Sequence, residues 1–154
     1  MTSGQFSDRL ASQDSDRLSS RAKVLIVDDD PTHLEIYGML LQHAGYEPVS
    51  ALVKFAGAEI PKDDTIGLVL LDYRLQSLRT STEFAQEIRG LLPDTPIVVL
   101  SDMWSLPADI APYVTDFVRK GQPAKLLQVV GKHLAHAKEP ATSQANPITP
   151  GAAA

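Results

Sequence analysis

The chain has 154 residues, 19 acidic and 14 basic side chains, a net charge of −5 and no cysteine. This excludes disulfides, thiolate metal sites and cysteine nucleophiles, and the mild acidity argues against nucleic acid as the main partner. The opening MTSGQFSDRLASQDSDRLSS lacks the basic start and apolar core of a secretory signal, and no apolar run approaches the ~20 residues of a membrane helix, so a cytoplasmic location is expected.

Residues 1–21 read as a disordered tail rich in Ser, Asp and Arg. SDRL occurs twice there, from Ser7 to Leu10 and from Ser15 to Leu18, which is read as coincidence, with a short amphipathic helix through Leu10 and Leu18 as the alternative. Lys23 to Val27 is a short β-branched apolar run ending in three aspartates, the pattern of a buried parallel strand. Asp30-Pro31 supplies an N-cap and a first-turn proline, Leu34, Tyr37, Leu41 and Ala44 fall on one helical face, and Gly45 stops the helix. Glu47 to Leu52 reads as a second strand and Val53 to Ile60 as a short helix. Ile66 to Leu71 is a third, buried strand, again ending in an aspartate, Asp72. Thr82 is the expected cap of a helix that aligns Phe84, Ile88 and Leu91. Pro96 to Leu100 forms the fourth strand, ending at Ser101 and Asp102. Pro107 and Pro112 leave room only for a short or irregular helix across 103–114. Thr115 to Val118 is the fifth strand, followed by Arg119 and Lys120, and Ala124 to His136 is the closing helix. Residues 139–154, uncharged after Glu139, read as a second disordered tail.

Strands that alternate with helices imply βαβ crossovers and a parallel sheet covered on both faces, with its site outside the carboxyl ends of the strands. The polar residues that follow the apolar runs are Asp28, Asp29, Asp72, Ser101 and Lys120. Three carboxylates at one sheet edge repel one another unless a cation joins them, and Mg²⁺ accepts such oxygens readily. A carboxylate is also a nucleophile toward phosphorus, and a lysine, a hydroxyl and a divalent cation are what a transferring phosphoryl group requires around it. The four histidines, His33, His43, His133 and His136, show no shared spacing and are assigned to surface or packing roles. Trp104 is placed either in the core or on an exposed face for a partner.

The segments VLIVDDDP, VLLDYRL, VVLSD and FVRKG resemble the four signature segments of the response-regulator receiver domain of two-component systems, in order and close to its spacing, over residues 22–138. The resemblance implies a flavodoxin-like (βα)5 three-layer α/β sandwich with a parallel five-stranded sheet in order 2-1-3-4-5. It implies that Asp72 is the phosphoacceptor. Asp29 and the backbone carbonyl of Arg74 are then Mg²⁺ ligands with Asp72, and Asp28 acts through water. Ser101 and Lys120 contact the phosphoryl group, and Phe117 is the aromatic switch. The implied activity is that of a single-domain, non-enzymatic response regulator. A sensor histidine kinase or histidine phosphotransfer protein phosphorylates it, and it signals to an unidentified protein as a monomer or weak dimer, without nucleic acid or membrane. Four positions depart from the family pattern: Arg74 beside the metal site, Gln76 in place of proline, Asp102 in place of a small residue, and Gly121 in place of proline after Lys120. These departures define a rival reading, a receiver fold that works as an interaction module without phosphorylation. A transcription factor is disfavoured, since the two tails are too short for a helix-turn-helix domain. An aspartyl-nucleophile phosphohydrolase is disfavoured too, since Arg74 stands where such enzymes carry a proton-donating aspartate.

Overall fold

The computed structural model describes residues 21–138; both expected tails apart from Arg21, with the helix proposed through Leu10 and Leu18, lie outside them. Five strands form one parallel sheet in the order β2-β1-β3-β4-β5: β1 (Lys23–Asp28), β2 (Glu47–Leu52), β3 (Ile66–Asp72), β4 (Ile97–Ser101) and β5 (Asp116–Arg119). Three α-helices are present among the described residues: α1 (Pro31–His43), α2 (Ser81–Leu91) and α3 (Pro123–Lys138). The expected flavodoxin-like sheet order is therefore found, on fewer helices than a full (βα)5 pattern.

The unbroken apolar runs of β1, β3 and β4 follow from burial on both faces of the sheet. Val24, Ile26, Leu68, Leu70, Val98 and Leu100 pack with Leu34 and Leu41 of α1 and Leu126, Val130 and Leu134 of α3. The alternate residues Leu25, Val27, Val69, Leu71, Ile97 and Val99 pack with Phe84, Ala85 and Ile88 of α2. Each fully buried Leu, Ile or Phe side chain contributes about 2–3 kcal/mol through apolar burial, so these two layers dominate the stability.

Local chemistry sets the element ends. Asp30 caps α1, its Oδ1 accepting from the Thr32 N–H at 2.8 Å, with Pro31 in the first turn. Gly45, at φ +91°, ends the same helix by a left-handed turn in which the Tyr46 N–H bonds back to the Leu41 carbonyl at 2.9 Å.

Two expectations are corrected. Val53 to Ile60 is not a helix: Lys54 and Gly57 exchange backbone hydrogen bonds at 2.9 and 3.0 Å in a tight turn. Gly57 and Pro61 break any helical run, and the segment covers the sheet through Val53, Ala58 and Ile60 instead. The cap of α2 is Thr80 rather than Thr82. Thr80 and Glu83 form a capping box, with the Glu83 N–H donating to Thr80 Oγ1 at 3.2 Å and the Thr80 N–H to Glu83 Oε2 at 2.7 Å. As the prolines require, residues 103–114 hold only a 3₁₀ turn at Ala111–Tyr113. Among the described residues, no helix is long and apolar enough to cross a membrane.

Candidate phosphoacceptor site

Register brings the strand-end residues together. Asp28 and Asp72 close β1 and β3, and Asp72 pairs with Leu100, so Ser101 lies one step further along β4, opposite Arg119 and next to Lys120. Asp28, Asp72 and Ser101 are buried polar groups in an otherwise apolar sheet, Asp28 only 1% and Asp72 only 2% exposed. Polar groups are retained at such cost where chemistry needs them. Asp72 opens onto a cleft of about 760 Å³, lined also by Asp29, Arg74, Gln76 and Lys120.

At its centre, Lys120 Nζ donates to Asp72 Oδ1 at 2.9 Å, and the Arg74 N–H donates to the same oxygen at 3.1 Å. Burial would lower the Lys120 pKa, but its hydrogen bond to Asp72 and the charges of Asp72, Asp28 and Asp102 outweigh it, and the net shift is upward from 10.5. Asp28 is shifted the other way for a carboxylate: burial, with the nearby Asp72 charge, pushes its pKa from 3.8 up to about 6, against the Asp30 N–H bond and the charges of His33 and Lys120. Its Oδ1 accepts that Asp30 N–H at 2.9 Å, while its Oδ2 is buried with no hydrogen-bond partner.

Asp29, expected as a Mg²⁺ ligand, lines the same cleft, and its Oδ2 accepts from the Gln76 N–H at 3.0 Å, which ties the loop after β3 to the end of β1. Ser101 Oγ accepts from the Met103 N–H at 3.1 Å. Phe117 is half-buried against the apolar layer under α2. Trp104 is 84% exposed, with the Arg119 guanidinium stacked 3.5 Å from its ring centre. Ser77 Oγ and the Leu78 N–H both reach the Phe55 carbonyl, and Thr82 Oγ1 and Tyr73 Oη meet on Asp109 at 2.7 and 3.1 Å. Gly121 turns the chain after Lys120 at φ +80°, a conformation that L side chains rarely adopt.

The chain matches the response regulator receiver domain family over residues 24–130. It belongs to that family. Receiver domains are signalling modules that accept phosphoryl groups from kinases and bind Mg²⁺ in an acidic pocket; here Asp28 and Asp72 stand close together in such a pocket. The transcriptional regulatory protein GlrR of Escherichia coli (strain K12) is 32% identical to this receiver over 90 residues, 58% of this chain and 20% of that protein. QseF of E. coli O157:H7 matches to the same extent, so the chain spans about a fifth of the length of these curated relatives. The CheY-like receiver domain protein from Methanospirillum hungatei JF-1 is similar at TM-score 0.63 and 23% identity, over 76% of this chain and 96% of that one. CheY4 of Vibrio cholerae is similar at TM-score 0.60 and 23% identity, over 74% and 99%. NtrX from Brucella abortus, in complex with ATP, is similar at TM-score 0.63 and 24% identity, over 76% and 28%. These structural likenesses establish the fold.

The pocket suits a divalent cation on its own evidence. A buried carboxylate oxygen without a donor, a raised Asp28 pKa and a second carboxylate nearby are the marks of a site that positive charge completes. Ligand atoms of three residues lie within 4.8 Å of one another: Asp28 and Asp72, both expected at the site, and His33, assigned from the sequence to a surface or packing role. Sequence reasoning missed His33. Its only signal was its place in the first turn of the helix that Asp30 caps, five residues after Asp28.

Proposed function

We propose that this receiver takes a phosphoryl group from the phosphohistidine of a sensor kinase or phosphotransfer protein onto Asp72, and passes its state to a protein partner. The observation that carries the reading is the hydrogen bonding at Asp72. Both donors, Lys120 Nζ and the Arg74 N–H, hold Oδ1, and Oδ2 accepts no hydrogen bond among the described residues, so one oxygen is anchored and the other is available for attack. In the transfer, an electron pair of the Asp72 carboxylate forms a P–O bond as the P–N bond to histidine breaks, and the imidazole leaves with the electron pair of the P–N bond. The Lys120 ammonium, fixed within the pocket, balances charge on the phosphoryl oxygens. Ser101 exchanges its Met103 N–H contact for a hydrogen bond donated to one of them. Asp28, Asp72 and the Arg74 carbonyl would hold a Mg²⁺ ion, with Asp29 joining if it gave up its Gln76 bond, and the ion would supply further neutralisation of phosphoryl charge. Movement at Ser101 and Lys120 reaches Phe117 and the Trp104–Arg119 stack, since these lie within three residues along the same two loops and β5.

The test is labelling of the whole chain with a radioactive phosphohistidine donor, with and without EDTA. Label that depends on Mg²⁺ in the wild type and is lost in Asp72→Asn supports the reading. Label that persists in Asp72→Asn refutes it.

A further inference from the structure

His33 is held where a metal-binding imidazole would be. Its Nδ1 lies 3.3 Å from Asp28 Oδ2, and its Nε2 lies 3.6 Å from Asp30 Oδ2. The close Nδ1 approach is not a hydrogen bond, for Nδ1 and Asp28 Oδ2 are both buried atoms with no hydrogen-bond partner. A carboxylate oxygen and an imidazole nitrogen thus face each other with nothing between them, beside the Asp72 carboxylate.

We propose that His33 contributes an imidazole ligand to the cation pocket, which shifts its preference from Mg²⁺ toward divalent ions that accept nitrogen, such as Mn²⁺, Co²⁺ and Zn²⁺. The proposal rests on the reading above that this pocket holds a cation. Three features support it. Two donors that each bind one ion at ~2.1 Å, with a bond angle near 90–110°, stand ~3.0–3.4 Å apart; Asp28 Oδ2 and His33 Nδ1 have that separation. The far ring nitrogen faces a carboxylate, the arrangement that fixes tautomer and orientation in metal-bound histidines. That carboxylate is itself held, because Asp30 also caps α1 through Thr32. Finally, Asp29 joins the set only by giving up its hydrogen bond from the Gln76 N–H, whereas His33 Nδ1 has no hydrogen bond to give up. Mg²⁺ favours oxygen ligands and nearly ideal octahedral geometry, whereas imidazole suits the later divalent ions, whose affinities rise toward the end of the first transition row.

The test is calorimetric titration of the full chain with MgCl₂ and with CoCl₂, with the visible absorption of Co²⁺ as a direct readout of its ligands. The proteins compared are the wild type, His33→Gln and Asp72→Asn. Expected is a ~10–100-fold fall in the preference for Co²⁺ over Mg²⁺ in His33→Gln, with an altered Co²⁺ spectrum. His33→Asn is expected to behave likewise, and far-ultraviolet circular dichroism checks that both variants are folded. Unchanged Co²⁺ affinity and spectrum in both His33 variants overturn the inference while leaving the cation pocket standing. If Asp72→Asn weakens neither ion, the cation reading itself fails, and this inference with it.

Discussion

Replacing Asp28 by Asn stabilises the cation-free protein. In the wild type at pH 8, a 1% exposed carboxylate ionises beside Asp72 with one oxygen lacking a donor. Its pKa rises from 3.8 to about 6 on folding, and at about 1.4 kcal/mol per pH unit this amounts to about 3 kcal/mol lost when both states are ionised. The sign follows from the direction. Below 3.8 neither state is ionised and there is no penalty; between 3.8 and about 6 only the unfolded chain loses its proton; above about 6 the full penalty applies. Asn removes the charge and keeps the Oδ1 acceptor for the Asp30 N–H, and its amide nitrogen takes the place of Oδ2, where it donates to His33 Nδ1. The expected gain is about 2–3 kcal/mol at pH 8, or ~1–2 M urea at the midpoint, shrinking toward zero near pH 4. Urea unfolding in EDTA, followed by far-ultraviolet circular dichroism, measures it; Trp104, largely exposed in the folded state, is a poor reporter. A less stable Asp28→Asn at pH 8, or a gain of the same size at pH 4, refutes the reasoning.

Lys120→Met leaves Asp72 buried without its cation and is expected to destabilise the protein by about 3 kcal/mol at pH 8 in the same assay. Because the Lys120 pKa is raised on folding, its contribution to wild-type stability is complete below 10.5 and fades as pH climbs through the folded-state value, so the deficit of the variant narrows there. Thr80→Ala removes the side-chain half of the α2 capping box and is expected to cost about 1 kcal/mol. Thr82→Ala leaves the cap intact and removes one of the two side-chain hydrogen bonds that hold Asp109, so the proteolysis rate of the 103–110 loop is expected to rise more than global stability falls. Gly121→Ala forces a side chain into the left-handed region and is expected to cost about 1–2 kcal/mol in urea unfolding.

The sheet and most of the site were legible in the sequence because both come from one pattern. Apolar runs too uniform for a half-exposed strand must be buried on both faces, and such strands in a parallel sheet end at a common edge. Asp28, Asp72, Ser101 and Lys120 could therefore be placed together from their positions alone. His33 could not. A histidine in the first turn of a helix looks like any surface residue until the packing of α1 against β1 and β3 fixes which carboxylates it faces. The family resemblance implies Asp29 as a ligand, but the hydrogen bond from the Gln76 N–H to its Oδ2 depends on the loop after β3, for which the sequence holds no local signal. Thr80 was legible as T-x-x-E and was passed over for Thr82, two residues on. The 53–60 segment misled because its alanines resemble helix and carry too few apolar contacts to select against a turn. The Arg119–Trp104 stack joins residues on different loops, for which local pattern holds no signal.

The central claim is that Asp72 carries the phosphoryl group, and borohydride trapping tests it most directly. After exposure to a phosphohistidine donor and Mg²⁺, reduction converts an aspartyl phosphate to homoserine, and peptide mass spectrometry locates it. Homoserine at residue 72, and at no other aspartate, is the predicted result. Homoserine at Asp28, Asp29 or Asp102 with Asp72 intact contradicts the account.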